Sequence, residues 1–154
     1  MPSMKFDREL VVSSGRDKCW DVLTDVPRLV TWVSIVTDAQ EQEPLERYTA
    51  VLTDRMGPFK LRADLEITVS DVVPGERIRV QAKGEDRQVA SRIGVDAVMV
   101  LADVAGDGAG SRISVDGSYE VIGKVATMGA GMIRTKAAKI LDEFFAHAAT
   151  ELGA

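Results

Sequence analysis

The sequence predicts an α+β domain, a seven-stranded antiparallel sheet with two short helices near its start and one long helix laid across it at the end. Residues Phe59 to Val69 alternate without a slip, setting Phe59, Leu61, Ala63, Leu65, Ile67 and Val69 against Lys60, Arg62, Asp64, Glu66, Thr68 and Ser70. That is the period of a strand with one buried side. From Lys124 to Leu152 the period becomes 3.6, with Val125, Met128, Met132, Ile133, Ala137, Ile140, Leu141, Phe144, Phe145, Ala148 and Leu152 on one stripe. Short turns between the strands make the sheet an antiparallel meander. A curved sheet with one apolar face needs a cover, and the C-terminal segment is the only one long enough. Such a grip leaves room for a lined hollow between sheet and helix.

Each element can be justified in order. Phe6, Leu10 and Val12 lie in a β-prone stretch that ends at Ser13-Ser14-Gly15. Asp17 to Thr24 carries Cys19, Trp20, Val22 and Leu23 and reads as a short helix. Asp25-Val26-Pro27 interrupts it, and Pro27, which lacks an amide donor, suits the first turn of a second helix running to about Val33. From Thr37 the period is two. Arg47 to Met56 and Pro58 to Val73 flank Gly57 as a hairpin, and Pro74-Gly75-Glu76 turns into a strand over Arg77 to Glu85. Ser91 to Val104 places Ile93, Val95, Ala97, Met99 and Leu101 on one side, although Val98 and Val100 make its centre apolar on both. Ala105 to Gly110 is a loop, and Arg112 to Val121 alternates again with Tyr119 inward. The final segment is expected to be one helix from Lys124 to Leu152, about 40 Å long. Its wet face carries Lys136, Lys139, Asp142, Glu143 and Glu151.

Composition narrows the function classes. The 154 residues suit one domain over the whole chain, 1–154, with enough interior for a core and a pocket. With 45% hydrophobic and 28% charged residues, the chain is expected to be soluble and cytoplasmic, with no signal pattern and no apolar run of spanning length. A net charge of −5, with both signs interspersed, offers no footprint for a phosphate backbone, so nucleic acid is not an expected partner. Cys19 is the only cysteine, which excludes an internal disulfide and a thiolate metal cluster. It reads as a packed thiol.

Catalytic constellations are not evident. His147 is the single histidine and has no His or Cys neighbour in sequence, so neither a metal site nor a Ser-His-Asp arrangement is expected. Asp64 and Glu66 fall on the wet side of their strand. Gly129-Ala130-Gly131 reads either as a smooth stretch where the helix passes close to a ligand or as close helix–sheet packing. Met128 and Met132, one turn apart, read either as an adaptable pocket wall or as ordinary core. Tyr48 and Tyr119 offer hydroxyls to a ligand carbonyl or to the backbone, and Arg87 and Arg92 either guard a cavity mouth or solubilise a turn. The candidate pocket is lined by Trp32, Leu52, Leu61, Leu65, Met99, Tyr119, Met128 and Met132, each inward by alternation, on the helix stripe, or at the corner between the short helices and the sheet.

This order of elements resembles the helix-grip plan of the SRPBCC, START and Bet v1-like superfamily. Cys19-Trp20-Asp21-Val22-Leu23-Thr24-Asp25-Val26-Pro27 resembles its helix-to-helix signature, in which a Trp precedes a Leu and then an Asp. Gly57-Pro58-Phe59-Lys60 with its alternating strand looks like the hairpin of the CoxG-like family, named for the G subunit of carbon monoxide dehydrogenase. Ala90-Ser91-Arg92, the glycine-rich loop before Ser111-Arg112-Ile113, and Gly129 with Phe144-Phe145 in the last segment also fit. Two departures stand out. The family's Pro-Gly pair after the second helix is replaced by Trp32-Val33-Ser34-Ile35-Val36, and glycines common after the hairpin are here Leu61 and Ala63. Bulkier side chains in the hollow imply a different size and ligand.

The resemblance implies non-catalytic binding of a hydrophobic small molecule, such as a quinone (menaquinone), with no covalent cofactor. It also implies a molybdenum hydroxylase of the carbon monoxide dehydrogenase type as partner. Some relatives reach the membrane through a C-terminal extension, whereas this chain stops at Ala154, so a peripheral membrane contact would use the domain surface. Two other readings stay open: a polyketide cyclase-like or hydrolytic enzyme with Tyr48, Tyr119 or Arg92 polarising a substrate, and an assembly module whose cavity is filled by its own side chains.

Overall fold

A computed structural model describes residues 3–56, 58–104 and 110–154. Gly57 of the expected hairpin and residues 105–109 of the expected loop lie outside the described residues. Seven strands are described: β1 (Met4–Val12), β2 (Val36–Glu43), β3 (Arg47–Met56), β4 (Phe59–Val73), β5 (Arg77–Asp86), β6 (Ser91–Asp103) and β7 (Ser111–Gly123). They form one antiparallel sheet in the order β1-β7-β6-β5-β4-β3-β2. Between β1 and β2 stand α1 (Arg16–Leu23) and α2 (Val26–Val30), and α3 (Ala130–Leu152) closes the chain. This is the helix-grip fold. Pro27 sits in the first turn of α2, and the Asp25 carboxylate accepts the Arg28 amide at 3.4 Å, so the corner is capped as its composition suggests.

One boundary differs from expectation. The last segment is not a single helix from Lys124: a 3₁₀ turn spans Lys124–Met128, Gly129 breaks the chain, and α3 starts at Ala130. The cause is backbone geometry at two glycines, φ +103° at Gly123 and +95° at Gly129, which a helix cannot include. Twenty-three residues make α3 about 35 Å long.

Residues opposed in an antiparallel ladder share a face, so the pairing assigns the sheet's inner side. Leu61, Ala63, Leu65, Ile67 and Val69 of β4 are all buried, and through Leu65–Gly84, Ala82–Val95 and Val95–Tyr119 the same face continues across β5, β6 and β7. Three apolar clusters sit on it. The first joins Val12, Cys19, Leu23, Trp32, Leu101 and Ile113 to Ala148 and Leu152 at the C-terminal end of α3. The second joins Val26 and Val30 of α2 to Tyr48, Ala50, Leu65, Ile67, Val69 and Ile78. The third joins Leu61, Val125 and Ile133 at the other end of α3, with Leu52, Phe59, Tyr119 and Met128 against it.

Cys19 is fully buried in the first cluster, and its thiol lies 3.7 Å from the Ser14 carbonyl. Burial pushes the thiol pKa up, against the opposing pull of the Ser111 hydroxyl and the Lys18 charge. Because the thiolate is the reactive form, the native protein should not react with an aromatic disulfide reagent, and one thiol per chain should appear only on denaturation. Rapid labelling of the native protein would show that the first cluster does not close over Cys19.

Candidate functional site

The first and third clusters hold α3 at its two ends and leave its middle differently packed. Ile133 is buried in the third cluster, and Ala148 and Leu152 in the first. Between them, over about four turns, Ala137, Ile140, Leu141, Phe144 and Phe145 are each only half-buried. The sheet opposite shows the same pattern: Val80, Ala82, Ala97, Val115 and Gly117 of the inner face are half-buried, and Val95 is 36% exposed. A filled core would bury both surfaces, since interiors pack close to crystal density. At the centre of this region Ala97 is opposed to Val80 on one side and to Gly117 on the other, and the Phe6 ring of β1 lies against Gly117.

Polar ties fasten α3 over the sheet. The Lys136 ammonium donates to the Asp54 carboxylate at 2.7 Å and to the Arg55 carbonyl at 2.9 Å. Arg8 reaches Asp142 at 3.2 Å, Arg28 reaches Glu151 at 2.7 Å, and the Glu143 carboxylate accepts the Ser34 amide and hydroxyl at 2.6 and 3.1 Å. Four of the five residues on the wet face of the helix are therefore tied to the shell around it. Asp54 lies on the inner register of β3, opposite Leu61, and its side chain is only 16% exposed, against 33% for Lys136. The other three ties are largely exposed, and such pairs contribute little each, about 0–1 kcal/mol.

The sequence-derived pocket residues are distributed rather than gathered at one point. Leu61 belongs to the third cluster, with Leu52, Tyr119 and Met128 packed against it. Leu65 is in the second cluster, Met99 packs against the first and second, and Trp32 lies in the first, its ring edge-on to Phe144 and stacked on His147. Met132 stands at the head of α3 with 48% of its surface exposed, while its neighbour Ile133 is buried. The Tyr48 hydroxyl accepts the Leu45 amide at 2.7 Å in a side chain that is buried, so of its two sequence readings the backbone one applies. Arg92 lies on the outer face and Arg87 is exposed beside Glu85, so neither borders the space under α3. Gly129 and Gly131 have no neighbour within 4 Å of the position of an added Cβ, so the helix–sheet packing reading of Gly129-Ala130-Gly131 does not hold. Asp54 and Lys136 are the residues that sequence reasoning missed. Lys136, three positions after Ile133, was the available signal, because that spacing returns to nearly the same helix face.

A broad groove of about 1220 Å³ lies on the opposite, outer side of the sheet. Its walls alternate in charge, with Arg62, Lys83 and Arg92 among Asp64, Glu66, Glu85 and Glu120. It is the trough on the outer side of a twisted sheet, and its apolar residues, Val51 and Ile122 among them, are interspersed with these charges. Among the described residues no helix is long and apolar enough to cross a membrane.

Comparison with known proteins follows the same lines. The family model for CoxG, the G subunit of carbon monoxide dehydrogenase, matches residues 9–153. Among solved structures, a conserved protein from Geobacillus kaustophilus superposes with a TM-score of 0.81 at 20% identity, over 97% of this chain and 95% of that one. A START superfamily protein from Mycobacterium smegmatis gives 0.68 at 8% identity, over 98% and 97%. The Zhui aromatase/cyclase from a Streptomyces species gives 0.63 at 9%, over 99% and 98%. These three likenesses establish the fold alone. No curated protein matches the sequence.

Proposed function

The chain belongs to the CoxG family, that of the carbon monoxide dehydrogenase G subunit, and on that premise we propose that it binds a hydrophobic small molecule between the inner face of β5, β6 and β7 and the middle of α3, without turnover. The observation that carries this reading is the half-buried state of two apolar surfaces, Ala97 and Val95 on the inner face of the sheet and Ile140, Leu141 and Phe144 on α3, in a domain whose clusters at both ends of α3 are closed. Leaving such surface wetted forgoes about 25 cal/mol per Å², which a lipophile would recover on binding. Affinity would come chiefly from that burial, less the cost of ordering the ligand. On this reading the partly buried Leu52, Tyr119 and Met128 border the space at the third cluster, with Met99 and the exposed Met132 toward its margins, while Leu61, Leu65 and Trp32 are buried in the clusters behind them.

The finer reading is that the ligand is a lipophilic redox carrier of the quinone type and the partner a molybdenum hydroxylase of the carbon monoxide dehydrogenase type, which the family description supports. An enzymatic reading has less support, since two of its three proposed groups are out of place: the Tyr48 hydroxyl is bonded to the backbone and Arg92 faces away, leaving Tyr119. The test is titration of N-phenyl-naphthylamine, followed by displacement with an alkyl naphthoquinone and native mass spectrometry before and after organic extraction. Saturable one-to-one fluorescence enhancement, reversed by the naphthoquinone, is the expected result. No enhancement in either extracted or unextracted protein would mean that the space is closed and the domain is an interaction module.

A further inference from the structure

The space proposed to hold the lipophile has one charged pair at its border whose position serves no obvious packing purpose. Asp54 takes an inward place on β3, opposite the fully buried Leu61 and two residues beyond Leu52, where β2 has already stopped pairing. Lys136 meets it from α3, one turn beyond the buried Ile133. Bringing two charges to so sheltered a place carries a desolvation cost, and a pair of apolar side chains there would serve stability as well or better. The pair therefore calls for a role beyond holding the helix down. An ammonium has three donors, and among the described residues Lys136 uses two, on Asp54 and on the Arg55 carbonyl. With a third of its side chain exposed, it can still present a donor beside Asp54, whose strand partner Leu61 belongs to the buried cluster against which Phe59, Leu52 and Met128 pack.

We propose that Lys136 is the specificity-determining residue of the site, donating a hydrogen bond to a neutral acceptor oxygen, a ketone or quinone-type carbonyl, at the head of an otherwise apolar ligand. The inference rests on the binding function proposed above. Neutrality follows from Asp54: its carboxylate already balances the ammonium, so a carboxylate head would face a like charge at the same nitrogen. The ligand's tail then runs inward under the middle of α3, toward Ala97 and Phe144, and its head stays by the open edge of the sheet. This orientation puts the polar end beside the ion pair and the apolar end against the half-buried apolar side chains of the inner sheet face and α3. A hydrogen bond to a charged group in such a place confers about tenfold or more in selectivity.

Displacement of N-phenyl-naphthylamine by three ligands of equal chain length tests it: methyl undecyl ketone, the alkene in which a methylene replaces its oxygen, and tridecanoic acid. The parent should prefer the ketone over the alkene by about tenfold and over the acid by a similar factor. Lys136→Met should bind the alkene as the parent does but lose the ketone preference, and Lys136→Arg should keep it. Asp54→Asn, which leaves the ammonium unbalanced, should move the preference from the ketone to the acid. Thermal melting of each variant separates folding from binding, and the Arg variant and the parent decide the matter if the Met variant does not fold. A parent that binds alkene and ketone equally, or a Lys136→Met protein that keeps the ketone preference, overturns the head-group role while leaving the hydrophobic site intact. If none of the three displaces the probe, or the probe does not bind, the binding function itself falls and this role with it.

Discussion

Gly123→Ala should destabilise the protein by about 4 kcal/mol, lowering the melting temperature by about 10 °C or preventing folding. Gly123 ends β7 with φ +103° and ψ −154°, a conformation essentially restricted to glycine. An added Cβ would collide with the Ala90 carbonyl oxygen and lie 2.9 Å from both the Ala90 carbonyl carbon and the Ser91 Cα. These are backbone atoms at the turn into the paired strand, so no side-chain rotation relieves the overlap. The damage would also spread. Ser91, opposite Gly123, accepts the Val125 amide on its hydroxyl at 3.0 Å, and Val125 is fully buried with Leu61 and Ile133. Moving Ser91 thus loosens the cluster that seats the head of α3. Gly129→Ala is the control: its φ of +95° and ψ of 149° are as restricted to glycine, but nothing lies within 4 Å of the new Cβ, so only the backbone strain of about 1–3 kcal/mol remains. Equal melting of the two variants would refute the clash.

The contrast between those two glycines also explains what the sequence could and could not reveal. Alternation in β4 is a local signal, and the burial of Leu61, Ala63, Leu65, Ile67 and Val69 follows it residue by residue. The apolar stripe of α3 is equally visible, as is the breaker at Pro27. A break at Gly129 is not, because Gly129 and Gly131 sit in an unbroken 3.6 pattern and only tertiary placement demands a positive φ. The site is legible as a face but not as a place. A stripe wide enough to include both Met132 and Ile133 does not fix the rotation of the helix about its axis, and the structure buries Ile133 while exposing Met132. Lys136 reads as solvated in the sequence because a lysine between apolar neighbours usually is. Its partner Asp54 lies 82 positions away, and that separation is invisible to any periodicity.

Ala97→Phe should lower affinity for N-phenyl-naphthylamine by at least about 30-fold, equivalent to about 2 kcal/mol, while leaving the melting temperature unchanged or slightly raised. Ala97 sits in mid-sheet on the inner face, between Val80 and Gly117, and is half-buried like the middle of α3. The outcome depends on what lies above it. Inserting a phenyl ring into a close-packed core forces neighbours off their rotamers and costs about 1–3 kcal/mol. In an open, apolar-lined space the ring instead buries itself against Val95, Leu141 and Phe144, recovers part of the burial energy and takes the volume the ligand needs. Val98→Phe, one residue along on the outer face opposite Arg79, should alter neither quantity. Stability and binding therefore move in opposite senses only if the middle of the grip is empty. An Ala97→Phe protein that melts several degrees lower and still binds the probe as tightly as the parent would mean that Ala97 belongs to filled core and that the ligand, if there is one, sits elsewhere.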